Sequence, residues 1–336
     1  MLQRAFPLSG EGRTPFVALG SSRGLRWILP SQEPRIARLL GTWRPYKLSS
    51  RLGWQAIQWA VHGGFLSRLP GVERFEADIS ATDWRRFGWE GTAPPLMAFY
   101  VGTPGPQRKL ATILADPRTG EPLFVVKLPL GETAWPAIAR EYESLRELRA
   151  EGRARVPSPI LIDHERRFAV QSWIDGRPTR VGVSPAHIAF LVSLAQPGKT
   201  IALESVRAEL LEERARLMEE GALSSETAAE TERLLSGGDW RGEAPAVRIH
   251  GDFAPWNLKR RQDGTVSAID WEESEAEGLP FYDLCYYRQQ TERLLGRRVA
   301  VPWRAYQEAL IKRKGPDMDC LETASRATEA RALLAV

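Results

Sequence analysis

The sequence predicts an α+β fold in which a β-rich part precedes a mainly helical part. Short apolar segments typical of strands cluster between residues 96 and 128, and helical patterns dominate after residue 184. The chain has 336 residues, which is more than one hydrophobic core usually serves. We therefore expect two lobes or domains.

The composition is typical of an ordinary globular protein. Hydrophobic residues make up 43% of the chain, charged residues make up 26%, and the net charge is +4. The arginines are scattered, so we expect no nucleic-acid partner, and nothing indicates a protein partner. The two cysteines do not form a disulfide framework. We find no secretory signal and no apolar stretch long enough to span a membrane, so we expect a cytoplasmic location.

Residues 1–90 carry no motif that indicates a role. Residues 15–21 and 25–30 are predicted to be short strands, and residues 51–69 have apolar side chains at roughly helical spacing. This last segment combines tryptophan with arginine. Two interpretations stay open, a helix packed on its own domain, which we favour, and a helix on a membrane surface. We treat residues 1–90 as an N-terminal extension of unknown role.

Two predicted strands with a glycine-containing turn between them follow the extension. Leu96–Val101 and Leu110–Ala115 are strand-like, and the turn contains Gly102 and Gly105. Glycine lets backbone N–H groups approach a phosphate closely, but the turn also holds two prolines, which lack an N–H. The turn is therefore either a phosphate-binding lid or an ordinary hairpin.

Lys127 lies near the end of an apolar strand, where a buried charge is unexpected. A helix is predicted after this strand, because apolar residues recur at spacings of three and four up to Gly152. At 100° per residue, Glu141 faces the strands and Glu143 points to solvent. We therefore predict that Glu141 pairs with Lys127. The alternative is a strand-end lysine that extends to water.

The segment from Val247 to Trp271 carries the groups that phosphoryl transfer requires. Asp252 lies five residues before Asn257, and Asp270 ends an apolar, strand-like run. The turn at residues 262–264 predicts a hairpin, which would bring Asn257 close to Asp270. One carboxylate can accept the proton of a hydroxyl, while an amide oxygen and a second carboxylate can hold Mg²⁺.

This segment reads His-Gly-Asp-Phe-x-Pro-x-Asn followed by Ile-Asp-Trp-Glu, and it resembles the aminoglycoside phosphotransferase and choline kinase family. The resemblance covers roughly residues 91–300. It implies a two-lobed, protein-kinase-like fold, with a small β-rich lobe at residues 91–175 and a larger, mostly α lobe at residues 176–336. It also implies that Asp252 is the catalytic base, that His250 braces the catalytic loop, and that Asn257 and Asp270 are the metal ligands.

The same resemblance implies a nucleotide site that uses ATP and Mg²⁺. Lys127, held by Glu141, would contact the α- and β-phosphates. Residues 168–174 resemble the linker between the lobes, whose backbone meets the adenine edge. This places Gln171 and Trp173 near the nucleotide.

The segment after Asp270 bears on the acceptor. Asp283 follows after only 13 residues (283 − 270), which leaves no room for the peptide-docking segment of a protein kinase. A small-molecule hydroxyl acceptor is therefore favoured. Glutamates crowd this predicted loop at positions 272, 273, 275 and 277. They could bind a cationic acceptor, although a solvated loop is the simpler interpretation. Asp283 resembles a family position that supports the catalytic loop.

The sequence thus predicts a phosphotransferase that moves the γ-phosphate of ATP to a hydroxyl of a sugar, an amino sugar or a related alcohol. Two alternatives stay open. One is a kinase-shaped binding or scaffold protein without turnover. The other is a peripheral protein that binds membranes or polyanions through residues 1–90.

Overall fold

A computed structural model describes residues 13–21, 24–78, 82–153, 155–314 and 318–334. The chain divides into two units, Met1–Pro178 and Thr179–Val336. The first unit is built on a large sheet and the second is mainly helical, so the predicted α+β fold is confirmed. Among the described residues, no helix is both long enough and apolar enough to cross a membrane.

An eight-stranded antiparallel sheet forms the first unit. In chain order its strands are β1 (Arg13–Ser21), β2 (Gly24–Pro30), β3 (Glu73–Asp78), β4 (Leu96–Val101), β5 (Lys109–Ala115), β6 (Pro122–Pro129), β7 (Pro159–Asp163) and β8 (Phe168–Ser172). Their spatial order is β3-β1-β2-β4-β5-β6-β8-β7. A two-residue strand, β9 (Arg177–Pro178), ends the unit.

Three of these strands come from the first 90 residues. β2 pairs with β4 through Trp27 and Tyr100, so the N-terminal segment continues the sheet expected for residues 91–175. The chain divides after Pro178 and not at residue 90, which makes the β-rich unit the longer of the two. The strands predicted at residues 15–21 and 25–30 are present as β1 and β2.

Three α-helices accompany this sheet in the described residues, α1 (Ile36–Leu40), α2 (Leu48–His62) and α3 (Ala134–Ala150), together with the short 3₁₀ helices Leu66–Arg68 and Trp84–Phe87. Alternate residues of β1 enter two different cores, Phe16 one and Val17 the other. The core containing Val17 takes in α1 and α2. There the rings of Trp27, Trp43 and Trp54 lie 4.6–5.7 Å apart.

Helix α2 packs on its own unit through one face only. Trp54 and Val61 are buried on this face, and Ile57 packs against the same core. The apolar residues at roughly helical spacing in residues 51–69 include Leu52 and Phe65, and both are exposed, so the expectation of a single apolar stripe is wrong for these two. Leu52 and Trp54 are two residues apart, so at 100° per residue they point to nearly opposite sides of the helix, and one face cannot bury both.

The second unit combines helices with a three-stranded antiparallel sheet and an antiparallel β-hairpin. One sheet has the order β10-β11-β14, formed by Ala195–Ala202, Glu243–Ile249 and Glu275–Gly278. The predicted hairpin is present as β12 (Leu258–Arg260) and β13 (Val266–Ala268), in the register Leu258 to Ala268. The described helices are α4 (Pro185–Ser193), α5 (Leu203–Glu219), α6 (Ser225–Ser236), α7 (Tyr282–Leu295), α8 (Trp303–Lys314) and α9 (Met318–Leu334).

Candidate active site

The predicted lysine–glutamate pair is present in the first unit. Lys127 lies on β6, between Ala111 of β5 and Ala169 of β8, and it is buried. Its Nζ atom is 2.7 Å from Oε1 and 2.5 Å from Oε2 of Glu141 on α3. Buried charges are costly unless they are paired, and Glu141 supplies a close two-oxygen partner. The contact with ATP phosphates stays a prediction.

Glu143 occupies the solvent side of α3, as the helix phase predicts. Its Oε2 atom accepts a hydrogen bond of 2.7 Å from Nε of Arg146, whose side chain is largely exposed, while that of Glu143 is about half exposed. Exposed pairs of this kind contribute little stability. Glu143 is therefore a natural control for Glu141.

We expect Lys127→Ala and Glu141→Ala each to impair phosphate transfer. The double variant should be little worse than Lys127→Ala, because the glutamate acts through the lysine. Glu143→Ala should be close to neutral. Steady-state kcat and KM for ATP would measure all four. A damaging Glu143→Ala together with a silent Glu141→Ala would contradict the assignment.

The glycine turn between β4 and β5 is a closed hairpin. The Gly102 N–H donates to the Lys109 carbonyl at 2.8 Å, so this amide is engaged within the hairpin. Gly105 has a φ of +151°, and a Cβ there would meet nothing within 4 Å. The turn is also tied to the chain after β6, because the Thr133 N–H donates to the Pro106 carbonyl at 3.0 Å. Phosphate binding by Gly102 and Gly105 stays a prediction.

Gln171 and Trp173 lie at the end of β8. Gln171 is buried and pairs with Val125 of β6. The Trp173 backbone N–H donates to the Leu123 carbonyl at 2.7 Å, and its ring packs against the core that contains Trp54. These contacts show that both residues contribute to the structure of the sheet and its core. Their role near a nucleotide stays a prediction.

In the second unit, Asp283 holds the loop that follows β11. Its Oδ2 atom accepts from the His250 N–H at 2.9 Å, and its Oδ1 atom accepts from the Gly251 N–H at 3.1 Å. Burial raises the pKa of Asp283 to about 7, and the two backbone hydrogen bonds oppose that rise. The supporting role implied by the resemblance therefore has a direct geometric basis.

Gly251 is required where it stands. Its φ is +84°, and a Cβ there would lie 2.1 Å from the Glu273 carbonyl oxygen. A side chain would push the loop away from the segment after Asp270.

His250 joins the loop to the end of β13. Its Nδ1 atom accepts a hydrogen bond of 3.2 Å from the Asp252 N–H, so the ring proton belongs on Nε2. Nε2 then donates to the Ile269 carbonyl at 3.0 Å. The ring is fully buried, and its centroid lies 4.5 Å from that of Trp271. His250 thus braces both Asp252 and the residue that precedes Asp270, which makes it a positioning residue.

Asn257 orients the Asp252 carboxylate. Its Nδ2 atom donates to Oδ2 of Asp252 at 2.7 Å and to the Asp252 carbonyl at 3.0 Å. The amide therefore turns Nδ2 toward Asp252 and Oδ1 away from it. The Ile269 N–H donates to the Asn257 carbonyl at 2.9 Å, which ties this residue to the strand that ends before Asp270.

Asp270 has a backbone conformation that aspartate rarely adopts. Its φ is +69°, in the left-handed region, which costs energy for a residue with a side chain. Strain of this kind concentrates at functional sites, where the surrounding structure holds it in place. Here the hairpin β12–β13 and the His250 contact to Ile269 hold the preceding residues.

The donor set of Asn257 and Asp270 fits Mg²⁺. Within the described residues, no group of three or more His, Cys, Asp and Glu side chains could hold a metal ion. Mg²⁺ does not need such a cage, because it usually binds one or two carboxylate or amide oxygens and completes its shell with substrate phosphates and water. Asn257 Oδ1 and the Asp270 carboxylate would supply the protein's share.

The Asp252 carboxyl has the electrostatics of a general base. Burial, followed by the charge of the Asp270 carboxylate, raises its pKa to about 6, although interactions with Tyr286 and Asn257 oppose the rise. A base with a pKa near neutrality combines an ionised resting form with a useful affinity for a proton. The Asn257 carbonyl and the His250 ring both contact Ile269, the residue before Asp270, so the chain brings Asp270 toward this loop.

Tyr286 is a site residue that the sequence analysis missed. Its hydroxyl interacts with the Asp252 carboxylate, and burial followed by the Asp252 charge raises the pKa of this phenol. Tyr286 lies on α7, three residues after Asp283, so both side chains project from one face of the helix. That spacing could have revealed it, once Asp283 was placed under the loop.

We expect Tyr286→Phe to lower kcat roughly tenfold, about what the loss of one hydrogen bond to a charged group produces. The KM for ATP should stay unchanged, since Tyr286 acts through Asp252. Tyr282→Phe is the matched control, because its ring stacks on Tyr286 with centroids 6.4 Å apart. Equal losses of kcat in both variants would show that the Tyr286 hydroxyl does not act on Asp252.

The glutamate-rich segment after Asp270 is in part a strand. The prediction of a loop there is wrong for residues 275–278, which form β14 and pair with β11 at Ile249 and Val247. Glu277 has a partner, since the Lys199 Nζ atom donates to its Oε1 atom at 2.5 Å. Glu273 and Glu275 are exposed. The charge of Glu273 raises the pKa of both Tyr282 and Tyr286, although burial is the larger cause.

The model of the phosphotransferase enzyme family (APH) matches residues 115–321, more than half of the 336-residue chain. The chain belongs to this phosphotransferase family. The resemblance drawn from the His250–Asp270 motif is therefore confirmed. Among curated proteins, a search found no match.

The chain is also similar to solved structures. A macrolide 2′-phosphotransferase from Brachybacterium faecium is 16% identical, with a TM-score of 0.52 over 70% of this chain and 84% of that chain. A choline kinase from Cryptosporidium parvum is 14% identical, with a TM-score of 0.47 over 75% of this chain and 84% of that chain. The first likeness confirms the predicted kinase-like fold. At such low identity it says nothing about the acceptor of this phosphotransferase.

Proposed function

We propose that this phosphotransferase moves the γ-phosphate of ATP to a hydroxyl group of a small molecule in a Mg²⁺-dependent reaction. One observation carries the proposal. A carboxylate on a braced loop, Asp252, is oriented by Asn257, and His250 ties this loop to the residue before a second carboxylate, Asp270, in a chain of the phosphotransferase family. Phosphoryl transfer requires this combination of a base and oxygen ligands.

Each residue has a defined role in this proposal. Asp252 orients the acceptor hydroxyl and takes its proton as the bond to phosphorus forms. His250 and Tyr286 hold Asp252 in position. Mg²⁺, when bound by Asn257 and Asp270, would neutralise charge on the phosphates. Lys127, held by Glu141, would bind the α- and β-phosphates.

A small acceptor is supported by the segment between Asp270 and Asp283. Residues 275–278 of this segment are committed to the sheet with β11, so little chain remains to present an extended peptide-binding surface. We propose a sugar, an amino sugar or a related alcohol as the acceptor. The exposed Glu273 and Glu275 favour an acceptor that carries a positive charge.

If the acceptor is cationic, replacing Glu273 and Glu275 together by glutamine should raise the KM for the acceptor steeply and leave the KM for ATP nearly unchanged. The effect should weaken with added salt, because exposed charges are screened over about 10 Å at 0.1 M. Glu277→Gln is the control, since this carboxylate is already paired with Lys199. An unchanged acceptor KM in the double variant would favour a solvated segment without a role in recognition.

Transfer of label from γ-labelled ATP tests the proposed function. The full-length protein with Mg²⁺ would be incubated with a panel of sugars, amino sugars and other alcohols, and with a generic protein substrate. We expect label in one class of small alcohol and none in the protein substrate. Label in the protein substrate alone would contradict a small-molecule acceptor.

A further inference from the structure

The outward side of helix α2 is an exposed apolar surface. Trp59 is 78% exposed and Leu52 is 62% exposed, while Trp54 and Val61 on the other side are buried. Leu52, Ala56 and Trp59 follow at spacings of four and three, so they share one helical face. A tryptophan this exposed has most of its large apolar ring in water, which is unfavourable without a partner.

Phe65 continues this surface beyond the end of α2. Its ring lies against the helix terminus, since a Cβ at Gly63 would meet the Phe65 Cε1 atom at 2.3 Å. The Phe65 N–H donates to the Ala60 carbonyl at 2.9 Å, which holds the turn against the helix, and Phe65 is 40% exposed. We call Leu52, Ala56, Trp59 and Phe65 the outer face of α2.

The chain around this face is strongly basic. Residues 34–72 contain six basic residues and no acidic residue, so the rest of the protein has a net charge of −2 (4 − 6). Arg35 and Arg38 have acidic partners in Glu33 and Glu121. Lys47 immediately before α2 and Arg68 after it are exposed. The excess of positive charge therefore lies in the segment of the chain that contains the exposed tryptophan.

We propose that the outer face of α2 docks on the surface of an anionic lipid bilayer, with the helix in the plane of the headgroups. Trp59 and Leu52 enter the boundary between headgroups and acyl chains, a position that tryptophan favours. The basic residues contact the anionic headgroups. A second copy of the chain is a poorer occupant, because a symmetric contact through this face would bring two equally basic segments together. The inference does not depend on the proposed function.

Vesicle flotation of the full-length protein tests this surface. Binding is expected with phosphatidylcholine vesicles that contain phosphatidylglycerol, and it should weaken with salt and with pure phosphatidylcholine. The variant Leu52→Ser/Trp59→Ser should bind roughly tenfold more weakly or worse, because the inserted apolar area is lost. Met218→Ser/Leu294→Ser is the control, since these exposed apolar residues lie on helices of the other unit. Equal binding by both double variants would overturn the proposal.

Quenching of tryptophan fluorescence by brominated acyl chains shows directly whether Trp59 enters the bilayer. The wild-type tryptophan fluorescence should fall on binding to brominated anionic vesicles. Trp59→Phe should still bind and should lose most of that quenching. Absence of vesicle binding by the wild type would overturn the proposal. It would also be overturned if the wild type bound no lipid but self-associated, and if Leu52→Ser/Trp59→Ser abolished that self-association.

Discussion

Replacing Asp252 by asparagine should lower turnover by roughly two or more orders of magnitude, about what a positioned base contributes. Nucleotide binding should be nearly intact. The variant keeps the shape of the side chain and an oxygen that can accept from Asn257, but an amide cannot take the acceptor proton. Single-turnover rates and nucleotide titration measure the two effects separately.

Asp239→Asn is the control for this substitution, since it removes an exposed carboxylate of the same unit. It should leave turnover unchanged. If Asp252→Asn kept near-full activity with its true acceptor, the base would have to be another group. If it lost nucleotide affinity as well as turnover, Asp252 would belong to the metal site.

Replacing Asp270 by alanine should abolish transfer and weaken the Mg²⁺-dependent part of nucleotide binding, because a direct ligand is lost. Nucleotide binding without metal should change little. Titrations of ATP with Mg²⁺ and with a chelator measure this difference. Equal losses under both conditions would indicate a general disruption of the loop.

The left-handed backbone of Asp270 allows a sharper version of this test. Asp270→Gly relieves the strain at φ +69°, so its thermal stability should equal or exceed that of the wild type while activity is lost. Asp270→Asn removes the charge and keeps a residue type that tolerates this conformation. A destabilised Asp270→Gly would show that the Asp270 side chain holds the hairpin together, and its metal role would need independent support.

The parts of the site that the sequence predicted are those governed by local geometry. The β12–β13 hairpin depends on a few consecutive residues around Gly264, so the approach of Asn257 to the end of β13 could be anticipated. Glu141 could be separated from Glu143 because helical phase is regular over one turn. Both inferences needed no knowledge of distant parts of the chain.

The parts that the sequence missed depend on contacts between distant residues. The pairing of β2 with β4 brings Trp27 beside Tyr100, across more than 70 residues, and no local pattern encodes it. The N-terminal segment therefore looked like a separate extension. Similarly, β14 was taken for a loop because four glutamates crowd this short segment, and only its pairing with β11 makes it a strand.

The position of Tyr286 depends on both local geometry and a contact between distant residues. Its distance of three residues from Asp283 is a local signal, whereas its contact with Asp252 depends on Asp283 reaching the His250 and Gly251 amides. The family resemblance implies a supporting role for Asp283, and helical spacing places Tyr286 one turn further along the same face. A residue that supports a catalytic loop therefore identifies neighbours at i+3 and i+4 as candidates for the same site.

Phosphorus NMR of the full-length protein with ATP, Mg²⁺ and a mixture of sugars, amino sugars and other small alcohols tests the central claim most directly. We expect the γ-phosphate resonance of ATP to disappear, resonances of ADP to form, and a phosphomonoester resonance to appear. Asp252→Asn and samples with a chelator should leave ATP intact over the same period. Unchanged ATP with the wild-type protein, in a sample where ATP binding is demonstrated, would contradict the account and indicate a binding protein without turnover.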